Sequence, residues 1–172
     1  MNDSQKTETF ISIADKYINW VDTPPESVEF EAATALSLLA ALYSAALNIM
    51  KLDIKEDGSH STSDENSVSV EQWKEAYDRI SNFPFNYYYE VDSAHEPSCE
   101  SHYTDLIEDL TDIYQDVKEG MNLYTNSYKS QALYHWQMTF EFHWGRHILG
   151  AMKALHGYFQ ENSDFEIFQK IN

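Results

Sequence analysis

Four aspartates recur at steps of three or four residues within residues 103–120: Asp105, Asp109, Asp112 and Asp116. An α-helix has about 3.6 residues per turn, so this spacing places the four carboxylates in one stripe. Leucine, isoleucine and valine recur one residue later and form a parallel apolar stripe. Aspartate is a poorer helix former than glutamate, so a merely solvated face would be better served by glutamate. The stripe therefore indicates a need for short carboxylates beside a buried face.

A second polar group lies further along the chain, in the segment H143-W-G-R-H147. His143 and His147 are four residues apart, so they share one face of a helix, and Arg146 lies at the edge of that face. If the two segments form an antiparallel helical hairpin that turns near residue 127, Asp109 and Asp112 reach the height of these side chains. Asp105 and Asp116 would lie a turn or more away, which favours solvation for both.

This cluster of Asp109, Asp112, Asp116, His143, Arg146 and His147 has three interpretations. The first is a buried hydrogen-bond network that fixes the register of the two helices. The second is a site for Mn, Fe or Zn, with Asp109, Asp112, His143 and His147 as candidate ligands. The third is an anion site formed by Arg146 and a protonated histidine, which the acidic surroundings oppose. The residues favour them in that order, and a divalent metal is the one cofactor that they indicate.

The net charge of the chain limits the kinds of molecule that we expect it to bind. Its 172 residues include 29 acidic and 11 basic ones, which gives a formal net charge of −18. Direct binding to nucleic acid or to an anionic membrane is therefore not expected, whereas a basic protein or a cation is a suitable partner. A single cysteine excludes an internal disulfide, and the first residues lack the features of a signal peptide. We expect a cytoplasmic protein.

The pattern of apolar residues predicts an all-α fold, a single helical domain over residues 1–172. Few glycines and prolines are present (5 and 4), which disfavours a β-sandwich or barrel. Helical periodicity predicts four main helices and one short one, over residues 6–22, 26–50, 101–124, 130–160 and 70–80. The apolar run within the second helix looks too short and too polar to span a bilayer, so we interpret it as a core helix.

The remaining segments are predicted to be irregular. Residues 53–69 and 92–101 are expected to be surface loops. The tyrosine-rich segment over residues 82–91 contains Pro84 and three consecutive tyrosines, which favour extended backbone. No second strand is evident, so this segment is expected to be at most an isolated extended piece.

Three motifs carry a resemblance to a known family. They are D105-L-I-E-D-L-T-D-I-Y-Q-D-V-K-E-G120, Trp136 with F140-E-F-H-W-G-R-H147, and A154-L-H156. Together they resemble the bacterial domain of unknown function 5063 family, strongly from residue 103 to 156 and weakly before residue 70. The chain departs from the pattern at Glu108, where aspartate is expected, and by an insertion over residues 91–97. The resemblance implies an all-helical intracellular bacterial protein, and it implies no activity.

Three functions are compatible with these observations. The first is a non-enzymatic interaction or adaptor protein whose acidic surface meets a basic partner. The second is a metal-dependent, phosphohydrolase-like hydrolase that uses the Asp/His cluster. The third is an acidic mimic of nucleic acid. The sequence alone favours them in this order.

Overall fold

The computed structural model describes residues 1–23, 27–54, 64–91, 100–162 and 164–170. In this part of the chain the α-helices are α1 (Asp3–Asp22), α2 (Val28–Ile49), α3 (Val70–Ile80), α4 (Leu106–Thr125), α5 (Lys129–Thr139) and α6 (Gly145–Asn162). A π-helical turn, Phe140–Trp144, joins α5 to α6. Counting that joined pair as one helix, the described residues form four main helices and the short α3. The predicted all-α fold is confirmed.

The last main helix is interrupted, where a single regular helix over residues 130–160 was expected. The π turn inserts an extra residue into the helix between α5 and α6, and the turn ends at Gly145. A Cβ atom at Gly145 would clash with the carbonyl oxygen of Phe140, so a side chain at this position would force the turn to shift. π turns are frequent at functional sites, and this one contains His143. The expectation of an uninterrupted helix was wrong because periodicity does not reveal one inserted residue.

The acidic helix α4 begins at Leu106 and not at Ser101. Asp105 caps its N-terminus, since its Oδ1 accepts the backbone N–H groups of Ile107 (2.9 Å) and Glu108 (3.2 Å). The acidic side chains of the first turn also suit the positive end of the helix dipole. Residues 101–105 instead form a strand.

A two-stranded ribbon packs against the helices. Strand β1 (Tyr87–Val91) pairs antiparallel with β2 (Ser101–Asp105), and Tyr89 faces Tyr103. The expectation that the tyrosine-rich segment stays unpaired was wrong. The partner strand, SHYTD, lacks the apolar alternation that identifies strands, and it runs directly into a helix. Of the predicted loop over residues 92–101, Ser101 belongs to β2, and residues 92–99 lie outside the described part of the chain.

The predicted loop over residues 53–69 is anchored at its C-terminal end. Residues 55–63 lie outside the described residues. Asp64–Asn66 form a turn of 3-10 helix, and Val68 is buried. The N–H of Val68 donates to Oε1 of Glu119 at 3.0 Å, and the amide of Asn122 donates to the carbonyl of Asn66. The end of this segment is therefore tied to α4.

Helix α2 contributes to the core through a face rich in alanine. By length and composition alone it would be able to cross a membrane, so the view that this run is too short and too polar is wrong. Half of its most apolar window is buried inside the structure, as occurs in core helices of bundles. Fully buried residues such as Ala33, Leu39 and Ala46 let neighbouring helices approach closely. The core formed in this way holds α4 and α6 side by side.

Candidate metal centre

A carboxylate–histidine pair links α4 to α6. Asp109 is buried on α4, with 2% of its surface exposed. Its Oδ1 lies 2.6 Å from Nδ1 of His147 on α6. A carboxylate can only accept, so Nδ1 of His147 carries the hydrogen and donates it. This assigns the tautomer of the neutral ring and leaves a lone pair on Nε2.

The second oxygen of Asp109 is also bonded. The hydroxyl of Tyr88, on β1, donates to Oδ2 of Asp109 at 2.5 Å. Burial and this bond to the carboxylate raise the pKa of Tyr88 far above its usual value, so the hydroxyl keeps its proton. Both oxygens of Asp109 thus accept hydrogen bonds within the protein, one from His147 on α6 and one from Tyr88 on β1.

A second carboxylate–histidine pair lies further along α4. Oδ2 of Asp116 accepts from Nδ1 of His143 at 2.6 Å, and Asp116 is 8% exposed. The expectation that Asp116 is simply solvated was wrong, because the π turn brings His143 within its reach. The rings of His143 and His147 lie edge to face, with centroids 4.8 Å apart. Both histidines therefore have Nδ1 held by a carboxylate and Nε2 left as the available nitrogen.

Asp112 completes the group. Its Oδ1 accepts the indole N–H of Trp73 at 2.9 Å, and its Oδ2 lies 4.0 Å from Nε2 of His147. That separation is too long for a hydrogen bond. Ligand atoms of Asp112, His143 and His147 all lie within 4.8 Å of one another, a spacing that a small inward movement would bring around one ion.

The nitrogen of His147 that faces this group has no hydrogen-bond partner. Nε2 of His147 is buried, and no described residue satisfies it. Buried polar atoms are nearly always paired, so an orphaned imidazole nitrogen beside a carboxylate needs an explanation. A bound metal ion would supply one.

The carboxylates of the cluster create an electrostatic environment that stabilises a positive charge. Burial alone would lower the pKa of His147, but the bond to the Asp109 carboxylate, its charge and that of Asp112 raise the pKa above the usual value. Burial raises the pKa of the Asp116 carboxyl, which the bond to His143 opposes. Partial burial and the neighbouring carboxylates, Asp112 foremost, raise the pKa of Glu108. The shifts of His147 and Glu108 report an excess of negative charge, which a divalent cation would neutralise.

Three residues considered in the sequence analysis, Arg146, Asp105 and Asp109, are not among the candidate ligands in the structure. Arg146 is exposed, and its positive charge opposes the rise in the pKa of Tyr88 and of His147. Asp105 serves as the cap of α4 and accepts the hydroxyl of Tyr77 at 3.1 Å. Asp109 was predicted as a direct ligand, but both of its oxygens are engaged, so its place is behind His147. The prediction that the cluster binds metal stays a prediction.

A neighbouring group is less suited to an ion. Asp116, Glu119 and His135 also bring ligand atoms within 4.8 Å of one another. However, Nε2 of His135 lies 3.0 Å from the carbonyl oxygen of Asp116. Glu119 accepts from the N–H of Val68 and from the amide of Gln115. These bonds tie α4 to α5 through His135, and to the segment after the 3-10 turn through Val68.

Two partners in the candidate metal centre were missed by sequence reasoning. Tyr88 and Trp73 bond to Asp109 and Asp112 from β1 and α3, elements that are distant in sequence. Because side chains alternate along a strand, three consecutive tyrosines indicated that at least one faces the bundle. Nothing in their spacing indicated that this tyrosine would reach α4.

Comparisons with known proteins agree with this architecture. The sequence profile of a domain of unknown function, DUF5063, matches residues 2–160. The chain belongs to the DUF5063 family. This confirms the resemblance seen in the DLIEDLTDIYQD and HWGRH motifs.

A solved structure has the same fold as this DUF5063 protein. It is the crystal structure of protein BF1032 from Bacteroides fragilis, with a TM-score of 0.71 and 23% sequence identity. The match covers 89% of this chain and 94% of BF1032. At that identity the likeness concerns the fold alone. The search of curated proteins found no match.

Proposed function

We propose that this DUF5063 protein binds a divalent transition-metal ion through Asp112, His143 and His147. The observation that carries the proposal is the buried Nε2 of His147, which has no hydrogen-bond partner among the described residues, while Nδ1 is fixed by Asp109. In metal sites a ligating histidine commonly donates its other nitrogen to a carboxylate, which orients the ring and makes it a stronger ligand. Here both histidines have that support.

The ligand set points to a class of ion. Two imidazoles and one carboxylate suit Zn²⁺, Fe²⁺ or Mn²⁺, whereas Mg²⁺ and Ca²⁺ prefer oxygen ligands throughout. Three protein ligands leave open coordination positions for water or another small molecule. Water activation, and hence a metal-dependent hydrolase, is the chemistry that such a site would support.

This proposal reverses the order that the sequence alone favours. The network interpretation accounts for Asp109–His147 and Asp116–His143 as structural pairs, but it leaves Nε2 of His147 unexplained. The interaction, acidic-mimic and cytoplasmic hypotheses remain predictions, as does the basic partner.

Metal content of the purified protein tests the proposal. We expect protein purified without chelator, then equilibrated with Zn²⁺ and desalted, to retain close to one ion per chain. Asp112→Asn and His147→Ala are expected to lose it while remaining folded by circular dichroism. His156→Ala is the matched control, because it removes a histidine of the same helix that lies outside the cluster. Retention of the ion in all three variants, or failure of the parent protein to bind Zn²⁺, Fe²⁺ or Mn²⁺, would overturn the proposal.

A further inference from the structure

A groove of about 480 Å³ runs between β1 and the C-terminal half of α6. It contains none of the three candidate ligands, and it meets the candidate metal centre only through Tyr88, which lines the groove and donates to Asp109. Its strand side is formed by the consecutive residues Tyr87, Tyr88 and Tyr89. Side chains alternate between the two faces of a strand, so a groove that touches three consecutive residues runs along the strand's edge. β2 occupies the opposite edge of β1.

The ladder register indicates which backbone groups face the groove. The N–H of Leu106 donates to the carbonyl oxygen of Asn86 at 2.7 Å, just outside the ribbon. Asn86 and Leu106 are therefore a hydrogen-bonded pair, and bonded and non-bonded pairs alternate along an antiparallel ladder. Tyr88 and Thr104 are then the next bonded pair, whereas Tyr87 and Tyr89 belong to non-bonded pairs. The N–H and C=O groups of Tyr87 and Tyr89 therefore point away from β2. No described segment pairs with that edge.

The opposite side of the groove is formed by α6, where one basic and one acidic side chain, Lys153 and Glu161, flank the small residues. Ala154 and Gly157 lie one turn apart on α6 and leave room for a polypeptide backbone. A Cβ atom added at Gly157 would meet nothing within 4 Å, so this part of the groove is open. Phe85 and Tyr158 form an aromatic pair with centroids 5.5 Å apart and line the groove as well.

The exposed aromatic rings beside the groove and the net charge of the protein indicate what kind of polypeptide the groove would bind. Tyr87 and Tyr89 are 61% and 57% exposed, and Tyr89 packs on Tyr103, which is 67% exposed. Exposed tyrosine rings accept arginine guanidinium groups by cation–π contact. With a net charge of −18, the protein attracts basic chains and repels a second copy of itself.

We propose that an extended, arginine-containing segment of a basic partner protein binds in this groove as a third strand on the free edge of β1. Backbone hydrogen bonds to Tyr87 and Tyr89 supply part of the affinity, and alternate side chains reach the tyrosine rings and the floor at Gly157. The proposal does not depend on metal binding, so either can fail without the other.

The probe is a labelled peptide of alternating arginine and valine, compared with a glutamate–valine peptide and with an N-methylated arginine–valine peptide. We expect fluorescence anisotropy to show binding of the first at least about tenfold tighter than of the other two, since only it has both the charge and the backbone donors. Hydrogen exchange at the amides of Tyr87 and Tyr89 should slow when it is added.

The variant Gly157→Leu fills the groove without harming the helix, because leucine is a better helix former than glycine. We expect it to weaken the peptide about tenfold or more. His156→Leu adds the same side chain outside the groove and should bind as the parent does. Absence of binding, equal binding of the N-methylated peptide, or unchanged binding by Gly157→Leu would overturn the proposal. So would a dimer in sedimentation experiments that Gly157→Leu abolishes, because a second copy would then occupy the groove.

Discussion

Nδ1 of His147 lies 2.6 Å from Oδ1 of Asp109, across the interface of α6 and α4. This one contact determines which nitrogen of His147 is free, and the free nitrogen is the buried Nε2 next to Asp112. Asp109 therefore acts on the candidate metal centre through His147, and not as a ligand. The arrangement leads to expectations that differ for Asp109 and for Asp112.

Asp109→Asn is expected to weaken Zn²⁺ binding about 10- to 100-fold while all three ligands remain. The side-chain oxygen of the introduced asparagine can still accept from Tyr88, but its amide would donate to Nδ1 of His147 and drive the proton onto Nε2. Competition with a chromophoric chelator measures the affinity. Asp105→Asn is the control, because it makes the same change on the same helix and keeps a capping side chain. Equal affinity of the parent and Asp109→Asn would contradict the assigned role.

Removing the Tyr88 hydroxyl is expected to cost stability. Tyr88→Phe leaves Oδ2 of Asp109, a nearly buried carboxylate, without its donor. The expected loss in the free energy of unfolding is about 1–3 kcal/mol. The matched change Tyr87→Phe alters an exposed ring of the same strand and should stay within about 0.5 kcal/mol of the parent. Urea unfolding compares the two, and similar losses would argue against a special role for the Tyr88–Asp109 bond.

The pair His147–Asp109 should also make stability depend on pH in metal-free protein. The folded pKa of His147 is raised, so its contribution is fully present below the pKa of an unfolded histidine, about 6.5, and is lost as pH rises through the folded pKa. With chelator present, the stability difference between the parent and His147→Gln is therefore expected to be larger at about pH 5.5 than at about pH 8.5. A difference that grows with pH would have the wrong sign.

Two glycines should respond to alanine in opposite directions. A Cβ at Gly120 would clash with the indole of Trp136, a fully buried ring that donates to the carbonyl of Val117. Gly120→Ala is therefore expected to destabilise the protein by about 1–3 kcal/mol, despite the better helix propensity of alanine. Gly157→Ala meets open space and should stabilise it by up to about 1 kcal/mol. Thermal or urea unfolding of both variants checks the signs.

The helices of the candidate site were predictable because their patterns are local. The apolar and acidic stripes of α4, and the spacing of His143 and His147, follow from helical periodicity alone. The antiparallel hairpin then brings Asp109 near His147 without further information. The predicted set of residues therefore contained each ligand of the proposed site.

The roles within that set were not predictable, because they depend on contacts that periodicity does not encode. The π turn shifts His143 toward Asp116, and Tyr88 arrives from a ribbon whose second strand has no sequence signal. Asp109 and Asp112 look equivalent in the sequence, being one turn apart. Only the partners Tyr88 and Trp73, which bond to them from other elements, distinguish a supporting carboxylate from an available one.

The most direct test of the metal site is an anomalous-difference map from crystals of the protein grown with Zn²⁺. We expect one strong peak at about 2.0–2.2 Å from Nε2 of His143, Nε2 of His147 and Oδ2 of Asp112, with Asp109 and Asp116 outside the coordination sphere. The proposed site would be contradicted by a map without a peak in this cluster. It would also be contradicted by a peak bound by Asp109 itself, or by a peak only between Asp116, Glu119 and His135.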